Sequence, residues 1–219
     1  MKKKNIKQVG IPLLVCLVSI IIGVTTKNTI IGIIVLITGI LNSYYGSVGN
    51  KINYPIGVIN NLAISYIAFK NNNYGIVLFN LLLFMPINIK GYFEWSKNST
   101  NNEVKNRSLG IKKGIITILS SIIIALLIAY LLKLIPSERL SYLDAFTNVV
   151  SFIAGVLLMM RYNESWILYL VNNILDLILW SINYHEKGFD SLMVLLMSII
   201  YLTINIYALF RWRDKDERV

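Results

Sequence analysis

The stretch Glu164-Ser165-Trp166-Ile167-Leu168-Tyr169-Leu170-Val171-Asn172-Asn173-Ile174-Leu175-Asp176-Leu177-Ile178-Leu179-Trp180-Ser181-Ile182-Asn183-Tyr184 decides the fold. As a helix it is long enough to cross a hydrocarbon core of about 30 Å, which takes about 20 residues. Trp166, Tyr169, Asn173, Asp176 and Trp180 follow one another at alternating steps of three and four. At 100° per residue they therefore share an arc of roughly 80°. The rest of the surface is almost wholly apolar. A carboxylate and an amide at mid-depth are expensive in lipid, so this stripe turns toward a cavity or a neighbouring helix. Its aromatic rings offer a stacking platform for a flat ring and attract cations by ~0.5–2 kcal/mol. A buried carboxylate favours a positively charged ligand. The competing reading is polar contact between helices, with Trp166 and Trp180 as interfacial belt residues.

Working outward, seven more apolar runs lie at Ile6–Val24, Thr29–Gly46, Ile52–Phe69, Tyr74–Trp95, Gly114–Leu134, Leu143–Met160 and Ser191–Phe210. The expected fold is an all-α integral membrane bundle of about eight transmembrane helices. Only 15% of residues are charged, against about 25% in a soluble domain, and these charges cluster between the apolar runs. The basic start, Met1 to Lys7, followed by an apolar run, has the look of a signal peptide. No A-x-A cleavage site follows Val24 and further spans come after, so the run reads as a retained first span, interrupted near its start by Gly10 and Pro12.

The net charge of +10 is topological. Lys2, Lys3, Lys4, Lys7, Lys51, Lys90, Lys97, Lys105, Arg107, Lys112, Lys113, Arg161, Arg211, Arg213, Lys215 and Arg218 fall on one side of an eight-span arrangement. Lys27, Lys70, Lys133, Arg139 and Lys187 fall on the other. The positive-inside rule then places both termini and the linker after Trp95 in the cytoplasm of a multi-pass bacterial membrane protein. A nucleic-acid partner is not expected; the lipid bilayer is.

The chain also repeats itself. Asn88-Ile89-Lys90-Gly91-Tyr92-Phe93-Glu94-Trp95 and Asn205-Ile206-Tyr207-Ala208-Leu209-Phe210-Arg211-Trp212 share the pattern N-I-x-(small)-x-F-x-W. Asn61 lies seven residues after Tyr54, as Asn173 does after Trp166. The expected organisation is an extra span (residues 1–27), a three-helix repeat (28–95), a cytoplasmic linker (96–112), a connecting helix (113–135), a second repeat (136–212) and a charged cytoplasmic tail (213–219). The odd connecting helix makes the two triplets parallel, a 1+3+1+3 arrangement found in transporters whose substrate sits between the halves. Two further stripes follow: Asn80, Phe84, Asn88, Gly91 and Trp95, and Met197, Tyr201, Asn205, Ala208 and Trp212. From these, Phe84, Asn88, Tyr201 and Asn205 join the candidate binding residues, and Asn61 is expected to face the same cavity as Asn173. Trp95 and Trp212 read as anchors at the cytoplasmic rim.

Nothing points to catalysis. Cys16 is alone, His185 reads as an ordinary connector residue, and no nucleophile–base pair, phosphate loop or metal-ligand spacing occurs. No catalytic residue, metal or cofactor is expected. A membrane-embedded enzyme or a scaffold protein stays as the rival class. An enzyme would form product dependent on Asp176, and a scaffold would have no solvent-reachable cavity.

Three segments resemble the nicotinamide riboside transporter (PnuC) family, relatives in fold of the SWEET sugar transporters. Pro86 through Trp95 is similar to that family's P-M-Q-(apolar)-x-G-W-x-x-W. Asp144-Ala145-Phe146-Thr147 through Ser151 is similar to its D-A-x-T-x-x-x-S, and Glu164-Ser165-Trp166 through Asn173 to its E-N-W-x-x-W-(apolar)3-N/D stretch. The resemblance covers roughly Thr29 to Trp212. It implies two three-helix repeats joined by a central helix, facilitated diffusion of a vitamin precursor trapped by intracellular phosphorylation, and a homotrimer. Asn88 stands where the family has Gln, Tyr169 where it has a second Trp, and Asp176 where a small polar residue is usual. Nicotinamide riboside and thiamine, both fixed cations, suit Asp176; a neutral riboflavin suits it less. Thiamine or another nucleoside-like vitamin is the alternative substrate.

Overall fold

The structure, a computed structural model, describes residues 2–25, 29–70, 74–100, 103–133, 141–187 and 189–216. Lys27, Arg139 and the end of the charged tail, used above for charge topology, lie outside the described residues. The helices are α1 (Lys2–Thr25), α2 (Ile30–Ser47), α3 (Asn53–Lys70), α4 (Tyr74–Phe79), α5 (Met85–Lys97), α6 (Ile111–Lys133), α7 (Ser141–Met159), α8 (Ser165–Lys187) and α9 (Phe189–Asp216). A π-helical stretch, Asn80–Phe84, joins α4 to α5 into one continuous rod. Among the described residues, eight helical rods thus stand where eight runs are expected.

Among the described residues, four rods are long and apolar enough to cross a membrane by length and composition alone: Ile30–Ser47, Lys112–Leu131, Ser165–Ile182 and Val194–Arg213. α3 carries Asn53, Asn60 and Asn61, and the rod of α4 and α5 is broken by its π turn. That turn has a local cause. Pro86 has no N–H to give the preceding turn, and the helix widens by one residue instead, Met85 N–H bonding to Asn80 O. Pro12, by contrast, lies inside α1 without ending it, as membrane helices tolerate. α2 begins at a capping residue: Thr29 Oγ1 accepts the N–H of Gly32 at 3.1 Å. His185 belongs to the last turn of α8 rather than to a connector.

Large apolar side chains point outward. Leu14, Ile21, Leu82, Leu127, Leu131 and Phe210 are all exposed, as a lipid-facing surface requires. Burial of oil against oil yields little in such a setting, so tight packing and polar contacts between helices must hold the bundle. The buried cluster sits at one end, where Tyr54, Trp95, Leu158, Trp166 and Trp212 meet. The rings of Trp95 and Trp212 are 5.8 Å apart and those of Trp166 and Trp212 5.7 Å. Trp95 Nε1 donates to Leu158 O and Trp212 Nε1 to Ser47 O, each at 3.0 Å. The C-terminal ends of α2, α5, α7 and α9 therefore converge at the same end. Trp95 and Trp212, expected as rim anchors, are instead fully buried; each indole N–H finds a carbonyl at the frayed end of a facing helix, which a membrane interface would not supply so specifically.

The turns after α2 and α7 are bonded alike. In the first, Val48 N bonds Tyr44 O, Gly49 N bonds Gly46 O, Asn50 N bonds Tyr45 O, Asn53 N bonds Asn50 O and Tyr54 N bonds Lys51 O. In the second, Met160 N bonds Val156 O, Arg161 N bonds Leu158 O, Tyr162 N bonds Leu157 O, Ser165 N bonds Tyr162 O and Trp166 N bonds Asn163 O. Gly49 and Arg161 occupy the same place in the two turns and share a left-handed backbone, φ 73° and 70°. Glycine takes that conformation without strain; arginine does not. Arg161 is secured by an ion pair to Glu94 at 3.2 Å and a hydrogen bond from Nη1 to Lys105 O.

The linker after α5, expected to be plain connector, contains a small antiparallel hairpin pairing Ser99 with Val104 and Thr100 with Glu103. It runs as a strap under the buried end. Val104 N bonds Gly49 O and Arg107 N bonds Arg161 O, at 2.9 and 2.8 Å. Asn106 Nδ2 reaches Asn163 Oδ1 and Trp212 O. Arg211 pairs with Glu103 at 3.0 Å.

Candidate functional site

A cavity of about 220 Å³ opens between α2, α3, α7, α8 and α9. α8 supplies one wall with Trp166, Tyr169, Asn172, Asn173 and Asp176. α9 adds Tyr201 and Asn205, α7 adds Ser151 and Leu158, and α3 adds Asn60. α2 presents Gly39, Asn42, Ser43 and Gly46, which at steps of three and four form one helical face.

The local packing follows from residue size. Tyr201 lays its hydroxyl against Gly39, where a Cβ would collide with it. Gly46 faces the Trp166 ring, which a Cβ there would meet at 3.6 Å, an ordinary contact distance. Trp166 stands 5.6 Å from Tyr169, ring centre to ring centre. Asn60 Nδ2 is held by Val35 O at 2.8 Å and Thr38 Oγ1 at 2.9 Å. Asn42 Nδ2 donates to Asn53 O at 2.7 Å. Asn172 Nδ2 donates to Asp176 Oδ2 at 2.8 Å.

Three lining side chains are nearly fully buried yet carry a polar atom with no partner among the described residues: Trp166 Nε1, Asn172 Oδ1 and Asn173 Nδ2. An orphaned buried donor or acceptor costs about 1–3 kcal/mol. Two donors and an acceptor on one cavity wall make a surface that a small polar molecule would satisfy.

Of the candidate residues, Trp166, Tyr169, Asn173, Asp176, Tyr201 and Asn205 line the cavity together. The other four do not. Asn61 is buried with its Nδ2 unpartnered, but its neighbour Asn60 takes the place at the wall, because one residue along α3 turns the side chain by 100°. Asn88 lies behind the wall, its Oδ1 packed on Gly57 beside Asn42. Phe84 stacks edge-on against Phe79 and Phe152, at 5.4 and 6.2 Å. Trp180, one turn beyond Asp176, is outside the lining set. The contribution of α2 was missed. Its signal was present as Gly39, Asn42, Ser43 and Gly46 at steps of three and four inside an apolar span. The Glu164 of the aromatic motif serves structure: its Oε1 accepts from Ser108 Oγ and Leu109 N of the strap, at 2.9 and 2.8 Å. Among the described residues no cluster of metal-ligating side chains occurs.

Residues 29–214 match the family model described as nicotinamide mononucleotide transporter. A curated relative from Neisseria mucosa, the nicotinamide riboside transporter PnuC, is 31% identical over 189 residues, spanning 83% of this chain and 71% of its own. The protein of the same name from Haemophilus influenzae is 27% identical, spanning 89% of this chain and 84% of its own. A crystal structure of the vitamin B3 transporter PnuC superimposes with a TM-score of 0.79 at 28% identity, covering 94% of this chain and 90% of that one. With its outward-facing apolar helices and internal polar cavity, this multi-pass membrane protein, a transporter and not an enzyme, belongs to the nicotinamide mononucleotide transporter family, which includes PnuC.

Proposed function

We propose that the chain carries nicotinamide riboside across a bacterial cytoplasmic membrane by facilitated diffusion, and that phosphorylation inside the cell then traps it. The observation that carries this reading is the cavity wall of rings and amides with orphaned Trp166 Nε1, Asn172 Oδ1 and Asn173 Nδ2. The pyridine ring stacks on Trp166 or Tyr169. Asn173 and Asn205 bond the ribose and carboxamide. Among the described residues the lining contains no lysine or arginine, so a phosphate would find no cationic partner there; this favours the riboside over its phosphate. The relatives from Neisseria mucosa and Haemophilus influenzae bear the name of the same substrate.

The proposed architecture is 1+3+1+3: parallel triplets at 28–95 and 136–212, joined by the helix at 113–135, both termini and the 96–112 strap cytoplasmic. Support comes from the two turns bonded alike after α2 and α7, and from the indoles that cross between the triplets. Rocking of one triplet on the other would give alternating access. A homotrimer is the proposed assembly; light scattering of the purified protein in detergent measures it.

Uptake of labelled nicotinamide riboside into proteoliposomes is the test. Equilibration of substrate across the membrane, independent of ion gradients and accelerated by unlabelled riboside inside, is expected. Uptake no faster than in protein-free liposomes would sink the assignment, and uptake of thiamine alone would move it to that vitamin.

A further inference from the structure

We propose that Asp176, held in place by Asn172, selects substrates by charge, so that the cavity takes a nucleoside whose base is a fixed cation and discriminates against a neutral one of the same shape. This rests on the reading of the cavity as the transport site. Among the described residues, Asp176 is the one lining the cavity that carries a formal charge. Asn172, one helical turn earlier and nearly fully buried, fixes the carboxylate through Nδ2 at 2.8 Å. That bond also settles the direction of the amide. Nδ2 is committed to the carboxylate, and Oδ1 is left as a buried acceptor for an N–H or O–H of the ligand.

Trp166, Tyr169 and Tyr201 line the same space. Ring faces and a carboxylate both lower the energy of a cation placed against them. A neutral ligand offers the carboxylate at most hydrogen bonds from its N–H and O–H groups, whereas a cation of the same shape offers those bonds and an opposite charge. The geometry thus sets charge preference apart from shape recognition, which falls to the rings and to Asn173.

The matched probes are nicotinamide riboside and its 1,4-dihydro form, which differ by one hydride and by the positive charge. Calorimetric titration of the purified full-length protein with each, alongside uptake into proteoliposomes, gives the ratio of affinities. The wild type is expected to favour the cation tenfold or more, about 1.4 kcal/mol. Asp176→Asn should bring the two within threefold, Asp176→Glu should keep the cation preferred, and Asn172→Leu, which removes the Nδ2 hydrogen bond and keeps the carboxylate, should fall between. A wild type that binds both forms within threefold, or an Asp176→Asn protein that keeps the full preference, overturns the proposal while leaving the transport reading intact. If Asp176→Asn is not recovered in folded form, an Asn172→Leu ratio equal to that of the wild type overturns it. A wild type that binds neither probe overturns both readings.

Discussion

Gly39 shows how one residue shapes the cavity. Without a side chain it lets the Tyr201 hydroxyl rest on the α2 backbone, which places a ring at the cavity wall. Gly39→Ala puts a methyl group into that hydroxyl. Tyr201 must then swing into the cavity, and nicotinamide riboside binding should weaken tenfold or more while the protein still folds, since the displaced atom is the far end of a side chain. Tryptophan quenching titration of the variant checks this; affinity equal to wild type would remove Tyr201 from the site. The orphaned donors make a second expectation. Trp166→Phe keeps a ring but removes Nε1, and Asn173→Ala removes Nδ2. If the ligand satisfies these donors at the usual net value of about 0.5–1.5 kcal/mol, each loses roughly 2- to 13-fold in affinity by the same titration.

At the scale of helices and turns, the crossing indoles are the informative contact. Trp95 at the end of α5 donates to α7, and Trp212 at the end of α9 donates to α2. In the proposed two-triplet arrangement the last helix of each triplet thus caps the first helix of the other, and both bonds must break if the triplets separate at this end. Replacing Trp95 and Trp212 together by Phe keeps most of the packing and removes both bonds. Interhelical hydrogen bonds in membranes average about 0.6 kcal/mol, so two of them shift a two-state balance roughly sevenfold toward the state open at this end. A cysteine at Ser43, on the cavity wall, should then react several times faster with a small maleimide, in a background with Cys16 changed to Ser. An unchanged rate would mean that the indoles pack the end but do not hold it shut.

Across the whole molecule the strap ties the two halves together. Its N–H groups at Val104 and Arg107 bond Gly49 and Arg161, equivalent places in the two turns, and its Asn106 reaches the end of α9. Lys97, Lys105 and Arg107 on and beside this strap belong to the basic set that the positive-inside rule assigns to the cytoplasm. A single cysteine at Lys97, again with Cys16 changed to Ser, should react with an impermeant maleimide in inside-out vesicles and not in intact cells. The reverse pattern would turn the proposed topology over.

The sequence by itself determined the number and approximate places of the helical rods among the described residues, and the membrane class. Apolar length and charge clustering act over one segment at a time, and backbone bonding in lipid leaves the helix as the one open-ended solution. It also placed Trp166, Tyr169, Asn173 and Asp176 on one face, since helical period needs no knowledge of neighbours. Only the tertiary structure decided which stripe of α2 meets that face, that Asn60 and not Asn61 reaches the wall, and that Trp95 and Trp212 are sealed inside rather than set at a lipid rim. Those outcomes depend on how one helix is rotated against another. That rotation is fixed by contacts such as Tyr201 on Gly39 and the strap on Gly49 and Arg161, between residues far apart in the chain, and no local pattern records it.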